Sequence, residues 1–333
     1  MKKVAVIILN YNGAHFIKKL FTSLAEQTFN DFEIIFVDNA STDNSLDVLA
    51  NTLKTIRDYP ISVKVIVNKE NTGFCRGNNV GLTHTTCEYI VFLNNDTFVD
   101  SRWLEELVRV LDAYNEVGAC QSKLVSAHIN NVQNIGHSFD AYGWPSPKCN
   151  LSNHDNVTND ILIDTMFYPS GASVIIRKEI LLRCNGFDEN LFYGDYDLGW
   201  RIRLLGYKIA VNLKSVCFHF GSHTVNSLFP HLKLTYQSFR ERLYVLSKNY
   251  SLSRVMKRLP ISITLMFCTC IYLSYKFRKA YLNSLLRAVV WNIERIKIIM
   301  MERTKVQSTR LASDVEIESH MTSLITTLSF NKS

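Results

Sequence analysis

The sequence predicts an α/β fold: a mixed, mostly parallel sheet flanked by helices, with a basic helical extension behind it. Three observations point there. Over the first hundred residues, short apolar runs alternate with segments whose apolar residues recur at helical spacing, the pattern of strand–helix–strand units. Three of those runs end in polar loops, at 10–13, 38–43 and 94–97. In a parallel sheet such ends share one edge, and ligands of open α/β sheets bind there. The charge is also divided: residues 233–333 carry 17 Lys and Arg against 6 Asp and Glu, whereas residues 1–232 carry 20 against 24.

The elements follow in order. Val4–Leu9 is six apolar residues stopped by Asn10. With Lys2 and Lys3 ahead it imitates a secretory leader, but the run is short and no small-residue cleavage site follows, so a buried first strand is expected. Asn10-Tyr11-Asn12-Gly13 is the turn after it. Residues 14–27 are helical by the spacing of Phe16, Leu20 and Leu24. Phe32–Val37 is the second strand and Asp38–Asp43 its polar end. A helix runs through Leu46, Leu49 and Leu53, and Val63–Val67 is the third strand. Residues 71–79 read as a Gly-containing loop and 78–86 as a short helix. Gly73, Gly77 and Gly81 do not make G-x-G-x-x-G, so no dinucleotide fingerprint is present, and their use is close approach of backbone to a ligand or neighbour. Tyr89–Leu93 is a strand buried on both faces, ending in Asn94-Asn95-Asp96. Alone, that tripeptide reads equally as a turn or as a metal site. The companion acids Asp38 and Asp43 at neighbouring strand ends favour the ligand edge.

Beyond a helix at 103–114, residues 127–160 are rich in Asn, His, Gly and Pro and read as long loops. Ser170–Arg177 is a strand, 178–184 a short helix and 185–189 a turn. A helix Gly199–Leu205 is closed by Gly206, with Asp197 placed to cap it and Asp195 just outside, its carboxylate free. Lys208–Leu213 and Ser215–Phe220 are two strand-like runs, the second containing His219. Arg201 and Arg203 are assigned to structural pairing, and Trp200 to the core.

The basic part from residue 232 is helical, over Tyr236–Lys248, Leu259–Tyr275 and Ala280–Met301. Leu259–Tyr275 holds 17 uncharged residues between Arg258 and Lys276, short of the ~20 a spanning helix needs. With basic flanks it suits a helix pair lying on an anionic membrane surface; the other readings are a single span and a buried helix of a bundle. Nucleic acid is not an expected partner, since neither a reading helix nor an aromatic platform is present. Residues 306–333 read as a flexible tail. The eight cysteines lack zinc-ligand spacing and are expected reduced, as in a cytosolic protein.

Six motifs follow one another: Val-Ile-Ile-Leu-Asn-Tyr-Asn-Gly, Val-Asp-Asn-Ala-Ser-Thr-Asp, Asn-Thr-Gly-Phe, Phe-Leu-Asn-Asn-Asp-Thr, Asn-Gly-Phe-Asp-Glu and Asp-Tyr-Asp-Leu-Gly-Trp-Arg-Ile-Arg. The ordered set, over about residues 3–225, resembles family 2 glycosyltransferases of the GT-A (Rossmann-like) fold, in particular their rhamnosyltransferase-like branch. The resemblance implies inverting transfer of a sugar from a nucleotide-sugar donor of UDP, dTDP or GDP type, assisted by Mg²⁺ or Mn²⁺. It implies a nucleotide-sugar-binding half at 1–100 and an acceptor-binding half at 101–231, followed by the helical extension at 232–305 and the tail at 306–333. Asn10, Tyr11, Asn12, Asp38 and Asn39 match the nucleoside-binding positions, joined by Asn71 and Gly73 of Asn-Thr-Gly-Phe. Asn94-Asn95-Asp96 stands where the family has D-x-D. Asp96 is then the carboxylate nearest the metal, and Asn94 and Asn95 are hydrogen-bond donors to sugar or phosphate. Asp195 matches the family's general base, with Gly194 in place of the usual glutamate. His219 resembles a histidine that helps bind the metal.

The acceptor expected is a lipid-linked glycan at the cytoplasmic face of the membrane, a reading that rests on the basic extension. A nucleotidyltransferase is the competing enzyme, but no Gly-rich, Lys- or Arg-bearing loop follows the first strand to cradle a triphosphate. A non-catalytic sugar- or nucleotide-binding scaffold is the third reading, and intact Asp96 and Asp195 count against it.

Overall fold

The computed structural model describes residues 2–59, 61–147, 160–221, 231–278 and 280–323. They divide into two compact units. The first holds residues 1–137, 147–202 and 207–221; the second holds 138–146, 203–206 and 222–333.

The first unit is built on a ten-stranded sheet. Strands β1 (Val4–Asn10), β2 (Phe32–Asp38), β3 (Ser62–Val67) and β4 (Tyr89–Asn94) lie in the order 3-2-1-4 and are parallel throughout. β5 (Thr97–Val99), β6 (Val117–Ser126), β7 (Val132–Asn134), β10 (Ile161–Ile163), β11 (Ser173–Arg177) and β12 (Lys208–His219) extend it as a mixed half. β11 runs antiparallel to β4 and carries the sheet on to β6 and β12. Two short strands, β8 (His137–Phe139) and β9 (Pro145–Pro147), pair separately.

β1 is apolar from Val4 to Leu9 because both its faces are covered. Val4, Val6 and Ile8 join a core with Ile17, Leu20 and Leu24 of helix α1 (Ala14–Ala25) and with Trp103, Leu104 and Leu107 of α4 (Trp103–Ala113). Helix α2 (Ser45–Thr55) adds Leu49 to it. On the opposite face lies α3 (Gly73–Leu82), which begins five residues earlier than the spacing of apolar residues predicts. The glycines explain the difference. A Cβ on Gly77 would come within 2.5 Å of Leu9, and one on Gly81 within 2.5 Å of Ile7. Both are packing positions where the helix backbone closely approaches its neighbour, as expected of these glycines, and Gly77 lies in the helix and not in a loop.

Other departures have equally local causes. β6 was not foreseen, because Val-Gly-Ala-Cys-Gln-Ser neither alternates nor forms an apolar run. Its polar side chains are buried but hydrogen-bonded: Gln121 donates to Asn134 at 3.1 Å, and Ser122 accepts from the Trp103 indole at 2.8 Å. The two runs at 208–220 are one strand with an irregularity between Asn212 and Val216. The 127–160 stretch contains β7, β8 and β9, with 148–159 outside the described residues. Helix α5 (Lys178–Cys184) ends as expected, with Asn185 left-handed at φ 59°. Helix α6 (Asp195–Leu204) starts four residues early, and Gly206 closes it at φ 84°.

The second unit is helical: α7 (His231–Asn249), α8 (Leu252–Phe277), α9 (Leu282–Glu294), α10 (Ile296–Thr309) and α11 (Asp314–Ser319). Phe239 and Leu243 of α7, Met266 and Cys270 of α8, and Tyr281, Leu285 and Ala288 at α9 form its core. The single helix expected over 280–301 is broken at Arg295. The stretch from 306 is structured as far as 323, contrary to its composition. α10 carries on to Thr309, and Ser313 and Glu316 form a reciprocal capping box that starts α11. α8 is long and apolar enough, by length and composition, to cross a membrane.

Candidate active site

Parallel register brings the polar strand ends together. Asn10 pairs with Asp38 across β1 and β2, and Leu9 pairs with Asn94 across β1 and β4. The side chains then bond to one another. Asn10 Nδ2 donates to Asp38 Oδ1 at 3.2 Å and to Ser41 Oγ at 3.1 Å, and the Ser41 hydroxyl donates to Asp38 Oδ1 at 2.6 Å. Asn12, left-handed at φ 52°, accepts the Thr42 N–H at 2.7 Å through Oδ1. Tyr11 lies between them, half-buried. Asn39 ties the next loop in: its Nδ2 donates to Asn71 Oδ1 at 2.9 Å, and its Oδ1 accepts from Asn68 Nδ2 and the Thr72 N–H, both at 3.0 Å. Gly73 opens α3 at φ 79°, where a side chain would be strained, and donates its N–H to Asn71 Oδ1 at 3.0 Å. All seven residues expected around the nucleoside therefore sit on one edge. Asp43 serves the same edge by accepting the Ala14 N–H at 3.1 Å.

The β4 end is continuous with this network, since Asn95 Nδ2 donates to Asn10 Oδ1 at 2.9 Å. Asn94 is held by its backbone, its N–H on Ala172 O at 3.0 Å and its carbonyl accepting the Thr97 hydroxyl at 2.6 Å. β5 pairs with β12 so that Thr97 faces His219, and this register sets Asp96 beside the imidazole. Asp96 Oδ1 and His219 Nε2 stand 3.3 Å apart, each side chain 13% exposed. His219 Nδ1 is 3.0 Å from Gln133 Oε1, while Nε2 makes no hydrogen bond among the described residues.

A divalent ion fits this pair. A hard carboxylate oxygen and a neutral imidazole nitrogen are ordinary ligands for such ions. Two ligands on adjacent octahedral positions at ~2.1 Å stand about 3 Å apart. Among the described residues no third acidic, His or Cys side chain completes a cluster. Mg²⁺ typically takes one or two protein ligands and fills the rest with substrate phosphates and water.

Asp195 reaches the edge by another route. Ser173 pairs with Leu93, so Gly171 lies just past the end of β4. The Gly171 N–H donates to Asp195 Oδ2 at 2.9 Å, and a Cβ on Gly171 would sit 2.5 Å from Asp195 Oδ1. Oδ1 is buried and has no hydrogen-bond partner among the described residues. Burial raises the Asp195 pKa from 3.8 to about 6 against the opposing Gly171 bond. The His137 and Tyr168 rings stack at 4.7 Å. Burial pushes His137 down to about 4, and burial followed by the Asp195 charge pushes the Tyr168 hydroxyl up.

Two aspartates two residues apart thus do different things. Asp195 is the first residue of α6, not outside it, and Asp197 does not cap that helix. Asp197 lies inside α6, fully buried, and binds Arg201 one turn on, Nε to Oδ2 at 2.8 Å. Arg201 also donates to the carbonyls of Cys184 and Gly186. Trp200 is core, against Phe167. Gly194 has no room for a side chain, since a Cβ would come 2.6 Å from Phe187 and 2.7 Å from Cys75. Sequence reasoning missed Ser41, Gln133 and Gly171. A glycine or glutamine far from any motif carries no signal until the fold brings its partner to it.

Residues 5–181 match the profile of one protein family, Glycosyl transferase family 2. A poly(ribitol-phosphate) β-N-acetylglucosaminyltransferase of Staphylococcus aureus, TarP, is 28% identical over 185 residues, 54% of this chain and 50% of the relative. The chain spans about half the length of the curated relatives it matches. The structure of S. aureus TarS 1–349 in complex with UDP-GlcNAc superposes with a TM-score of 0.59 at 17% identity, covering 95% of this chain and 90% of that one. A mannosyltransferase from Pyrobaculum calidifontis, in complex with GDP-Man and Mn²⁺, gives 0.54 at 15% identity over 93% and 86%. At these identities the likeness carries the fold, the GT-A arrangement expected from the sequence.

Proposed function

The chain belongs to glycosyl transferase family 2, and from that footing we propose that it moves a sugar, with inversion, from a nucleoside-diphosphate sugar to a hydroxyl of a lipid-linked glycan. The observation that carries the reading is Asp195: a carboxylate with one buried oxygen unpartnered among the described residues and a pKa raised to about 6, held at the strand edge by Gly171. That is a base poised near neutral pH.

In this reading the Asn10, Tyr11, Asn12, Asp38, Asn39, Asn71 and Gly73 loops receive the nucleoside. Their mutual hydrogen bonds hold the acceptors and amides in place before the donor arrives. Asn94 and Asn95 donate to sugar or phosphate. Asp96 and His219 would hold Mg²⁺ or Mn²⁺, which when bound supplies positive charge against the leaving diphosphate. Gln133 fixes the His219 ring through Nδ1 and leaves Nε2 turned to Asp96. Asp195 takes the proton of the acceptor hydroxyl as its oxygen attacks the anomeric carbon. The glycosidic bond to phosphate breaks on the opposite side, and the electron pair leaves with the diphosphate.

The named relatives support the nucleotide-sugar donor class. One acts on poly(ribitol-phosphate), and two were solved with UDP-GlcNAc or with GDP-Man and Mn²⁺. Cell-surface polysaccharide synthesis at the cytoplasmic face of the membrane is the setting these relatives and the basic helical unit fit. The test is a panel of UDP-, dTDP- and GDP-sugars offered with membrane-extracted lipid-linked glycans. One donor is expected to react, and the product anomer should be opposite to the donor's. A product with the donor's anomeric configuration refutes the inverting base.

A further inference from the structure

α8, α9 and α10 each turn one face into the core of the second unit and leave another face apolar. On α9, Ser284, Leu285 and Ala288 are buried, while Leu282, Leu286, Val290 and Ile293 are 41–65% exposed. Their spacing of four, four and three makes them one stripe. On α10, Ile299 and Val306 are buried, and Ile296, Met300 and Met301 are at least half exposed. On α8, Ser262, Met266 and Cys270 face inward, with Ile271, Tyr272 and Tyr275 outward. A monomer in water rarely leaves apolar stripes on three successive helices bare.

The charge around these faces identifies the occupant. Residues 252–309 carry 11 Lys and Arg against 2 Asp and Glu. Two copies meeting on such faces would set like charge against like, whereas an anionic bilayer offers hydrocarbon to the stripes and phosphate to the rim. Tyr272 and Tyr275, next to Lys276, are residues that settle at the headgroup boundary.

We infer that the outer faces of α8, α9 and α10 form an in-plane docking surface for an anionic lipid bilayer, on which α8 lies without crossing. This rests on the membrane setting proposed above and names the surface that provides it. The uncharged interval between Arg258 and Lys276 measures about 26 Å as helix, against ~30 Å of hydrocarbon. The inner face of α8 is committed to protein: Ser262 Oγ donates to Tyr142 O at 2.8 Å, and Met266 and Cys270 pack with Tyr281 and Leu285. Crossing would carry α9, with its exposed Arg287 in mid-helix, into hydrocarbon.

The full chain is tested by flotation with vesicles of phosphatidylcholine alone or mixed with phosphatidylglycerol. Binding is expected only to the mixed vesicles, weakening with salt. Arg287→Gln and Lys297→Gln should each weaken it about fivefold, and Leu286→Asn with Val290→Asn should abolish it while the thermal melt is unchanged. For depth, Cys268 is the one exposed cysteine among those described. A fluorophore placed there in a Cys149→Ser background should be quenched more by lipids spin-labelled near the headgroup than near the chain end. Equal binding to both vesicle types, stronger quenching from the bilayer centre, or a stripe-dependent dimer in lipid-free light scattering overturns the inference. Vesicle binding by a chain that transfers no sugar supports the docking surface and overturns the enzymatic reading alone.

Discussion

Replacing Asp195 by Asn should inactivate the protein and stabilise it, and the stabilisation should depend on pH. Among the described residues the carboxyl is held by one hydrogen bond from Gly171, and its other oxygen is buried without a partner. Burial raises its pKa from 3.8 to about 6. The folded state therefore holds this proton more tightly than the unfolded chain. Below about pH 4 both forms are protonated and Asp195 costs nothing. As pH rises from about 4 to about 6, the unfolded chain releases the proton first and stability falls; above about 6 the loss is constant. A shift of some two units corresponds to about 3 kcal/mol. Asn keeps the acceptor for Gly171 and removes the charge, but turns amide hydrogens into the pocket at a cost of about 1 kcal/mol. The net gain near pH 8 is then about 2 kcal/mol, or roughly 4–8 °C in melting temperature for a unit of this size. Thermal melts of wild type and Asp195→Asn at about pH 4 and about pH 8 read this directly. The pH-dependent part, about 3 kcal/mol, does not depend on the amide cost. Transfer should fall by roughly 10²–10⁴-fold with nucleotide binding retained, and wild-type kcat/KM should decline below about pH 6. A gain equal at both pH values, or a variant less stable at pH 8, refutes the buried, charged base.

Asp197→Asn should behave in the opposite way. It strands the buried Arg201 guanidinium, costing about 3–5 kcal/mol of stability, which urea unfolding would show; an unchanged midpoint contradicts a structural pair. Gln133→Leu should weaken Mn²⁺ binding by about 10–100-fold with the nucleotide site intact. Titration of Mn²⁺ by paramagnetic resonance checks it, together with the ¹⁵N shifts of His219, which should show a changed tautomer balance. Unaltered shifts and affinity would mean that Gln133 does not position the ring.

What the sequence made legible follows from burial. A strand covered on both faces must be apolar throughout, so β1, β2 and β4 stand out as runs, and the polar residues that end them can only lie at the sheet edge. That pattern alone places Asn10, Asp38 and Asp96 together. The rest was hidden where hydrogen bonding replaces hydrophobicity. β6 is buried with Gln121 and Ser122 satisfied by partners from distant strands, and no local pattern announces such a strand. Gly77 read as a loop residue because a helix pressed onto Leu9 needs what a loop also tolerates. Asp195 and Asp197 read as free carboxylate and helix cap; what spacing did not reveal is that Asp197 turns inward to Arg201 one turn on. The stretch after 306 looked disordered by composition, yet Leu311 and Ala312 donate their N–H groups to Leu204 O at 2.7 and 3.0 Å.

The most direct test of the account is calorimetry of UDP, dTDP and GDP binding with Mn²⁺ and with chelator, in wild type and Asp96→Ala. One nucleotide is predicted to bind wild type more tightly with Mn²⁺, and that metal-dependent gain should vanish in Asp96→Ala. Binding that is indifferent to Mn²⁺, or a gain that survives the loss of Asp96, contradicts the assignment of the β4 strand end as the metal and diphosphate site.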